Sequence, residues 1–236
     1  MFRGLPRRPG CLFLHALRGL LAGLIAAVAL HFVVVLSGPN FRTVLPGRVY
    51  RSGQLSQARL ESYARRHNVR TVVNLRGCCP TAGWYRNESD ATSRLDLSQE
   101  DLSFSATRMP SRTAVSELIE VLDRSERPLL LHCHQGADRT GLASAVVLIL
   151  EGVPLDQSLQ QLGPASGHVP FGRTAHVDRF FALYRAWLSE TGYEHSPAVF
   201  RVWATGHYCP DGGKAEFALV APPEGSFRRA PGNRRK

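Results

Sequence analysis

Between Arg127 and Leu150 the chain reads Arg127-Pro128-Leu129-Leu130-Leu131-His132-Cys133-His134-Gln135-Gly136-Ala137-Asp138-Arg139-Thr140-Gly141, then an apolar run from Leu142 to Leu150. Three leucines behind a proline predict a short buried strand, and the run after Gly141 is long enough for a buried helix. Cys133 therefore falls on a strand-to-helix turn. Such a turn gathers successive backbone N–H groups into one concavity, and the helix that follows adds the positive end of its dipole, so the turn suits an oxyanion such as phosphate. A cysteine in that field, near Arg139 and His132, favours the thiolate, which is the nucleophilic form. The planar fork of Arg139 matches two oxygens of a phosphoryl group in the ground state and, better, in the transition state. Thr140 and the loop amides are placed to stabilise the sulfur when it leaves again.

A cysteine followed after five residues by an arginine is a weak pattern. His-Cys-x-x-Gly-x-x-Arg-Thr-Gly between an apolar strand and an apolar helix is a specific one. Carried by His132, Cys133, Gly136, Arg139, Thr140 and Gly141, it resembles the signature of the cysteine-dependent protein tyrosine and dual-specificity phosphatase superfamily. Tyr50-Arg51-Ser52-Gly53-Gln54 and Val73-Asn74-Leu75-Arg76 narrow the likeness to bacterial, membrane-anchored dual-specificity-like phosphatases. The likeness spans about Arg48 to Ser189. It implies an α/β fold with a central sheet flanked by helices, and a phosphocysteine intermediate at Cys133 formed without cofactor or metal. The implied substrate is a phosphorylated protein or a lipid or inositol phosphate, held by His134, Gln135, Gly136, Ala137, Asp138 and Arg139. His132, Thr140 and Arg76 would support the site. For Arg76, ordering the site and capping a strand at the surface stand as alternatives.

Such chemistry needs a proton donor for the leaving oxygen. The resemblance implies an aspartate about 30 residues before the cysteine, which Asp101 matches. Strand-like Leu102-Ser103-Phe104 follows it, however, and residues 105–111 carry no acid. Asp138 is the second candidate, because some lipid-directed and bacterial members use an aspartate directly before the loop arginine. A carboxyl beside a bound phosphate dianion favours its protonated form. With neither aspartate acting, the chain would be a catalytically weak phosphate-binding module at the membrane. His134, Gln135 and Ala137 stand where members acting on inositol phospholipids often place lysines, which weakens a polyphosphoinositide reading while the anchor and the Asp-Arg pair keep lipid phosphates open; no segment reads as a deep phosphotyrosine pocket, so a shallow, permissive site is expected. Arsenate reductases and sulfurtransferases need further redox cysteines or a different loop.

The formal charge of +10 resembles a nucleic-acid signal until it is located. Residues 1–18 and 228–236 hold nine of the 29 basic residues and no acid, leaving 20 basic against 19 acidic residues between them. The body is nearly neutral, so no nucleic-acid partner is expected. Lys214 and Lys236 are the only lysines, a bias consistent with a GC-rich genome. Cys11, Cys78, Cys79, Cys133 and Cys209 form an odd set without metal-ligand spacing, which argues against a disulfide framework. Cys78 and Cys79 are expected to be loop thiols; if close to Cys133, either would trap it as a disulfide under oxidation.

Gly19 to Leu36 is an apolar window of about 18 residues, the lower end of a bilayer span. Val35-Leu36-Ser37 is a poor cleavage site, so a single-pass anchor through residues 19–36 is expected over a cleaved signal. The arginines before it place the catalytic domain outside the cytoplasm, with Arg42, Arg48 and Arg51 as a counterweight. The expected organisation is a basic segment and anchor over 1–37, a phosphatase domain over 38–190, a β-rich extension over 191–227 and a disordered basic tail over 228–236.

Within the domain, Ser37 to Pro46 reads as a linker, Val49-Tyr50-Arg51 as a first strand, and Ser56 as the cap of a helix to about His67. Thr71 to Leu75 is a buried strand, and Gly77 to Asp90 a loop or broken helix in which Trp84 and Tyr85 pack. Leu95 to Phe104 reads as a strand interrupted by Gln99-Glu100-Asp101. Ser111 or Thr113 caps a helix to about Arg124 with Val115, Leu118, Ile119 and Leu122 as its apolar stripe. Pro154 starts a helix to about Leu162, and Val177 to Leu188 is amphipathic. Around the turn signal Pro210-Asp211-Gly212-Gly213, segments 198–208 and 215–221 are expected to form a hairpin.

Overall fold

The computed structural model describes residues 9–210. Its strands are β1 (Arg42–Leu45), β2 (Val49–Ser52), β3 (Thr71–Asn74), β4 (Ser98–Asp101) and β5 (Leu129–His132). They form one sheet in the order β1-β2-β5-β3-β4. The β1–β2 pair is antiparallel and the other pairs are parallel. The strand leading into Cys133 is therefore central, and its register sets Ser52, His132 and Asn74 level across β2, β5 and β3.

Helices α2 (Gln57–His67) and α3 (Gly83–Arg94) cover one face of the sheet. Helices α4 (Arg112–Arg124), α5 (Asp138–Leu150), α7 (Ala175–Thr191) and α8 (Pro197–Val202) cover the other, with the short α6 (Leu155–Ser158) beside α5. Along β5, Leu129 and Leu131 enter the larger core while Leu130 packs with Leu60 and Ala64 of α2 in the smaller one. A strand buried on both faces needs apolar residues at every position, which is why this one reads as an unbroken run. Every residue from Thr140 to Ile149 of α5 is buried, as its all-round apolar sequence requires. Ser56 and Ser111 cap α2 and α4 by accepting from the amides of Arg59 and Ala114.

Several elements depart from the sequence pattern for identifiable reasons. The linker before Pro46 contains β1, a short edge strand whose turn-rich flanks mask it. The segment after Gly77 contains a full helix, α3, whose buried residues are Glu88, Ala91 and Thr92. Two of those three are polar and hydrogen-bonded, so no hydrophobic stripe announces the helix. β4 is the acidic patch itself: an edge strand tolerates partly exposed polar side chains while its backbone pairs with β3. The helix begun at Pro154 ends at Ser158 and continues only as a 3-10 turn over Leu159–Gln161.

The first expected hairpin strand, 198–208, is helical: α8 runs into a π-helical turn, Trp203–His207, that buries Phe200, Trp203 and Tyr208 against Phe180. The second, 215–221, and the basic tail over 228–236 lie outside the described residues.

The long N-terminal helix α1 (Pro9–Ser37) contains a stretch, Leu14–Ser37, long and apolar enough to cross a membrane. Leu20, Leu24, Ile25 and Leu30 are each more than half exposed, in contrast to the equally apolar but buried α5. The C-terminal end of α1 docks on the loop after α6. Gly167 lies there at φ +86°, and a Cβ on it would approach Leu36 to 2.6 Å. His31 Nε2 lies 3.1 Å from the Pro164 carbonyl.

Leu131 is fully buried at the centre of the sheet. Leu131→Ala is expected to destabilise the fold by about 2–5 kcal/mol, read as a lower unfolding midpoint of the full chain in mild detergent.

Candidate active site

Cys133 follows β5 directly and is 3 % exposed. The loop after it is held from behind, one carbonyl after another. The His134 carbonyl accepts from the Gln54 amide at 2.9 Å, and that of Gln135 from Asn40 Nδ2 at 3.0 Å. The carbonyls of Gly136 and Ala137 both accept from Arg51 Nη2, at 2.6 and 3.2 Å. In a trans peptide the N–H of the next residue points opposite the carbonyl, so outward tethers turn the amides of residues 135–138 inward over the cysteine. Gly136 sits at φ +71°, and a Cβ there would meet the Gly53 nitrogen and the Ser52 carbonyl carbon at 2.6 Å. The turn can press on the end of β2 only because position 136 has no side chain.

Arg51 is the buried post of this arrangement. It is 1 % exposed, and its Nη1 also donates to the backbone and side-chain oxygens of Gln161. Burial lowers its guanidinium to about 10, partly countered by Cys133 and Asp138. It remains charged at neutral pH and places positive potential behind the loop.

A second network fixes the front. His132 Nε2 lies 3.1 Å from Glu88 Oε1, Gln54 Nε2 donates to Glu88 Oε2, and Arg76 Nη1 donates to Gln54 Oε1. The Arg76 guanidinium also lies 3.5 Å from the centre of the Trp84 ring. Arg76 thus lines the cavity, tied to the residues beside the catalytic strand. Burial, reinforced by the like charge of Arg139, pulls the Arg76 guanidinium below its ordinary value.

The resulting cavity, about 720 Å³, is lined by Cys133, His134, Gln135, Ala137, Asp138 and Arg139, with Arg76, Trp84 and Arg173 around them. Trp84 thus faces the pocket, and Tyr85 donates its hydroxyl to Asp101. Cys78 and Cys79 lie in the loop after β3, and they line the same cavity as Cys133. Among the described residues Arg139 makes only long bonds, 3.4 and 3.3 Å, to the carbonyls of Leu75 and Phe104. The hydroxyl of buried Thr140 has no partner among the described atoms.

The two candidate acids separate. Asp101 is engaged by Asn74 Nδ2 at 2.7 Å, by Gln99 and by Tyr85, and it does not line the cavity. Asp138 lines it, with Oδ1 2.6 Å from His168 Nδ1.

Residues 34–161 match a family model described as DSP-PTPase phosphatase fused to NAD+ kinase. The chain belongs to this phosphatase family. It is an enzyme of the tyrosine and dual-specificity phosphatase type, whose chemistry is hydrolysis of phosphate monoesters. No curated protein matches it in sequence. Among solved structures, the core catalytic domain of the PP-IP phosphatase SIW14 from S. cerevisiae, in complex with citrate, superposes with a TM-score of 0.50 at 19 % identity, over 64 % of this chain and 92 % of that one. That likeness supports the α/β fold. Tk-PTP in the active form (TM-score 0.46, 21 % identity, 60 % and 95 % covered) and P. aeruginosa TpbA in complex with pTyr (0.47, 21 %, 60 % and 82 %) are also similar.

Several site residues of this phosphatase had no motif to reveal them. Arg51 lay inside a recognised segment without a role, and Glu88, Asn40 and His168 carried no local signal. A buried arginine whose Nη1 and Nη2 serve oxygens of two distant loops emerges only once the chain is folded. Arg51→Met keeps the bulk and loses the donors. It is expected to weaken inorganic phosphate binding by tenfold or more, while Gln57→Ala at the start of α2 leaves it unchanged; calorimetric titration of the two variants checks this.

Proposed function

We propose that this family member hydrolyses phosphate monoesters through a phosphocysteine at Cys133, with Asp138 as the acid and without a metal. The observation that carries the reading is the row of outward-tethered carbonyls around a buried cysteine, facing Arg139 and Arg76. The inward amides and the Arg139 fork bind the non-bridging oxygens and hold them more tightly as charge spreads in the transition state. The Cys133 thiolate forms the S–P bond as the P–O bond to the leaving group breaks, and Asp138 gives its proton to the departing oxygen. Water then attacks phosphorus and returns a proton to Asp138. Cys133 departs as the thiolate, assisted by the unpartnered Thr140 hydroxyl.

Supporting roles fall to His132, through Glu88, and to Arg76. His134, Gln135, Gly136 and Ala137 shape the substrate side of the loop. With guanidiniums at its rim and no lysine in the loop, the pocket suits a single phosphoryl group on a protein side chain or on a lipid or inositol. The α1 helix anchors the enzyme in a membrane, with the catalytic domain outside the cytoplasm, as the arginines preceding the span favour.

Phosphate release from p-nitrophenyl phosphate by the full chain, with chelator present, tests the reading. Cys133→Ser is expected to abolish turnover. With phenyl phosphate, Asp138→Asn should reduce turnover by about 10²–10⁴, and Asp101→Asn should leave it within a few-fold. A folded parent that binds phosphate yet never turns over would make the chain a phosphate-binding module instead.

A further inference from the structure

We infer that His168 is a positioning residue which, together with Asp178, stores the proton used by Asp138. The inference rests on the proposed thiolate mechanism with Asp138 as acid. His168 is 1 % exposed in the loop between α6 and α7, yet both ring nitrogens face carboxylates. Nδ1 lies 2.6 Å from Asp138 Oδ1, and Nε2 lies 3.0 Å from Asp178 Oδ2. A neutral imidazole has one N–H and can satisfy only one of these contacts. Two bridges need two protons, one more than a neutral histidine between two carboxylates holds. The second sits either on the ring or on a carboxyl, and short bridges let it move between them.

The placement suits delivery to the pocket. Asp138 lines the cavity, and Asp178 is 38 % exposed at the far end, so the unit runs from the pocket to solvent. The loop is held in position: Asn40 Nδ2 donates to the Ser166 carbonyl at 2.9 Å, and the His168 amide donates to the Gly163 carbonyl. Asp138 from α5 and Asp178 from α7 are the charged groups facing His168, and the charge of Asp138 is in turn felt by Arg51 on β2. Burial alone would lower the His168 imidazolium, but the bonds and charges of Asp138 and Asp178 outweigh it and hold the ring above its ordinary value.

The cycle balances. In the first half-reaction the S–P bond forms, the ester P–O bond breaks, and one proton leaves the unit through Asp138 to give the free alcohol. His168 then keeps the remaining proton. In the second, water adds its hydroxide to phosphorus and its other proton to the unit, the S–P bond breaks, and hydrogen phosphate and the thiolate are restored.

The test uses the full chain in mild detergent with two substrates: p-nitrophenyl phosphate, whose leaving group needs little protonation, and phenyl phosphate, whose leaving group needs it more. His168→Asn is expected to lower kcat for phenyl phosphate at least about tenfold more than for p-nitrophenyl phosphate, with KM changed less than about threefold. With phenyl phosphate, kcat falls at high pH when the unit loses its second proton. Asp178→Asn removes a negative charge that holds this proton, so the fall is expected about half a pH unit or more lower. Equal losses on both substrates, or an unmoved high-pH limb in Asp178→Asn, would overturn the inference. Should His168→Asn fail to fold, the Asp178→Asn profile decides alone. A parent without Cys133-dependent turnover would overturn the phosphatase mechanism, and this inference with it.

Discussion

The site depends on a set of hydrogen bonds made on the side away from the substrate. Left alone, a short loop between a strand and a helix would turn its carbonyls wherever water or neighbours drew them. Arg51, Asn40 and the Gln54 amide claim the carbonyls of residues 134–137, and the amides have no direction left but inward. An oxyanion site of this kind costs nothing to reorganise when charge develops, which is the physical basis of electrostatic catalysis. The anchor is a buried arginine, expensive to desolvate, and its burial is tolerable because Nη1 and Nη2 both reach oxygens.

The same logic runs outward through the second network. His132, Glu88 and Gln54 tie the end of the central strand to Arg76, and Trp84 supports the guanidinium from its face. Arg139 is thereby held close enough to disfavour the charge of Arg76, an arrangement that a bound dianion relieves. The strain of like charges and the pull of the inward amides favour the same ligand.

The local chemistry was largely legible. A proline-bounded leucine run, a cysteine turn and an apolar helix follow from short-range pattern, and the Ser56 and Ser111 caps fall where their helices begin. Where an element is stabilised by polar contacts, pattern reading fails. Helix α3 buries Glu88 and Thr92 through hydrogen bonds, and β4 is a polar edge strand, so hydrophobic periodicity had nothing to register. The segment 198–208 misled for the opposite reason. Its aromatic and β-branched residues match a strand, but they serve an aromatic core around Phe180 and Tyr184, and that packing set the helical outcome.

By itself, the sequence singled out the proposed nucleophile and phosphate-binding arginine, and determined the order of the strand, loop and helix that carry them and the presence of a long apolar N-terminal segment. All of these are encoded by residues close together in the chain. Only the tertiary structure decided which of the two aspartates lines the cavity, because Asp101 and Asp138 differ in their neighbours rather than in their spacing. Asn74 and Tyr85 hold Asp101 on β4, while the fold brings His168, 30 residues downstream, against Asp138. Contacts of that range leave no local trace, since each partner alone is an ordinary polar residue in a turn or helix.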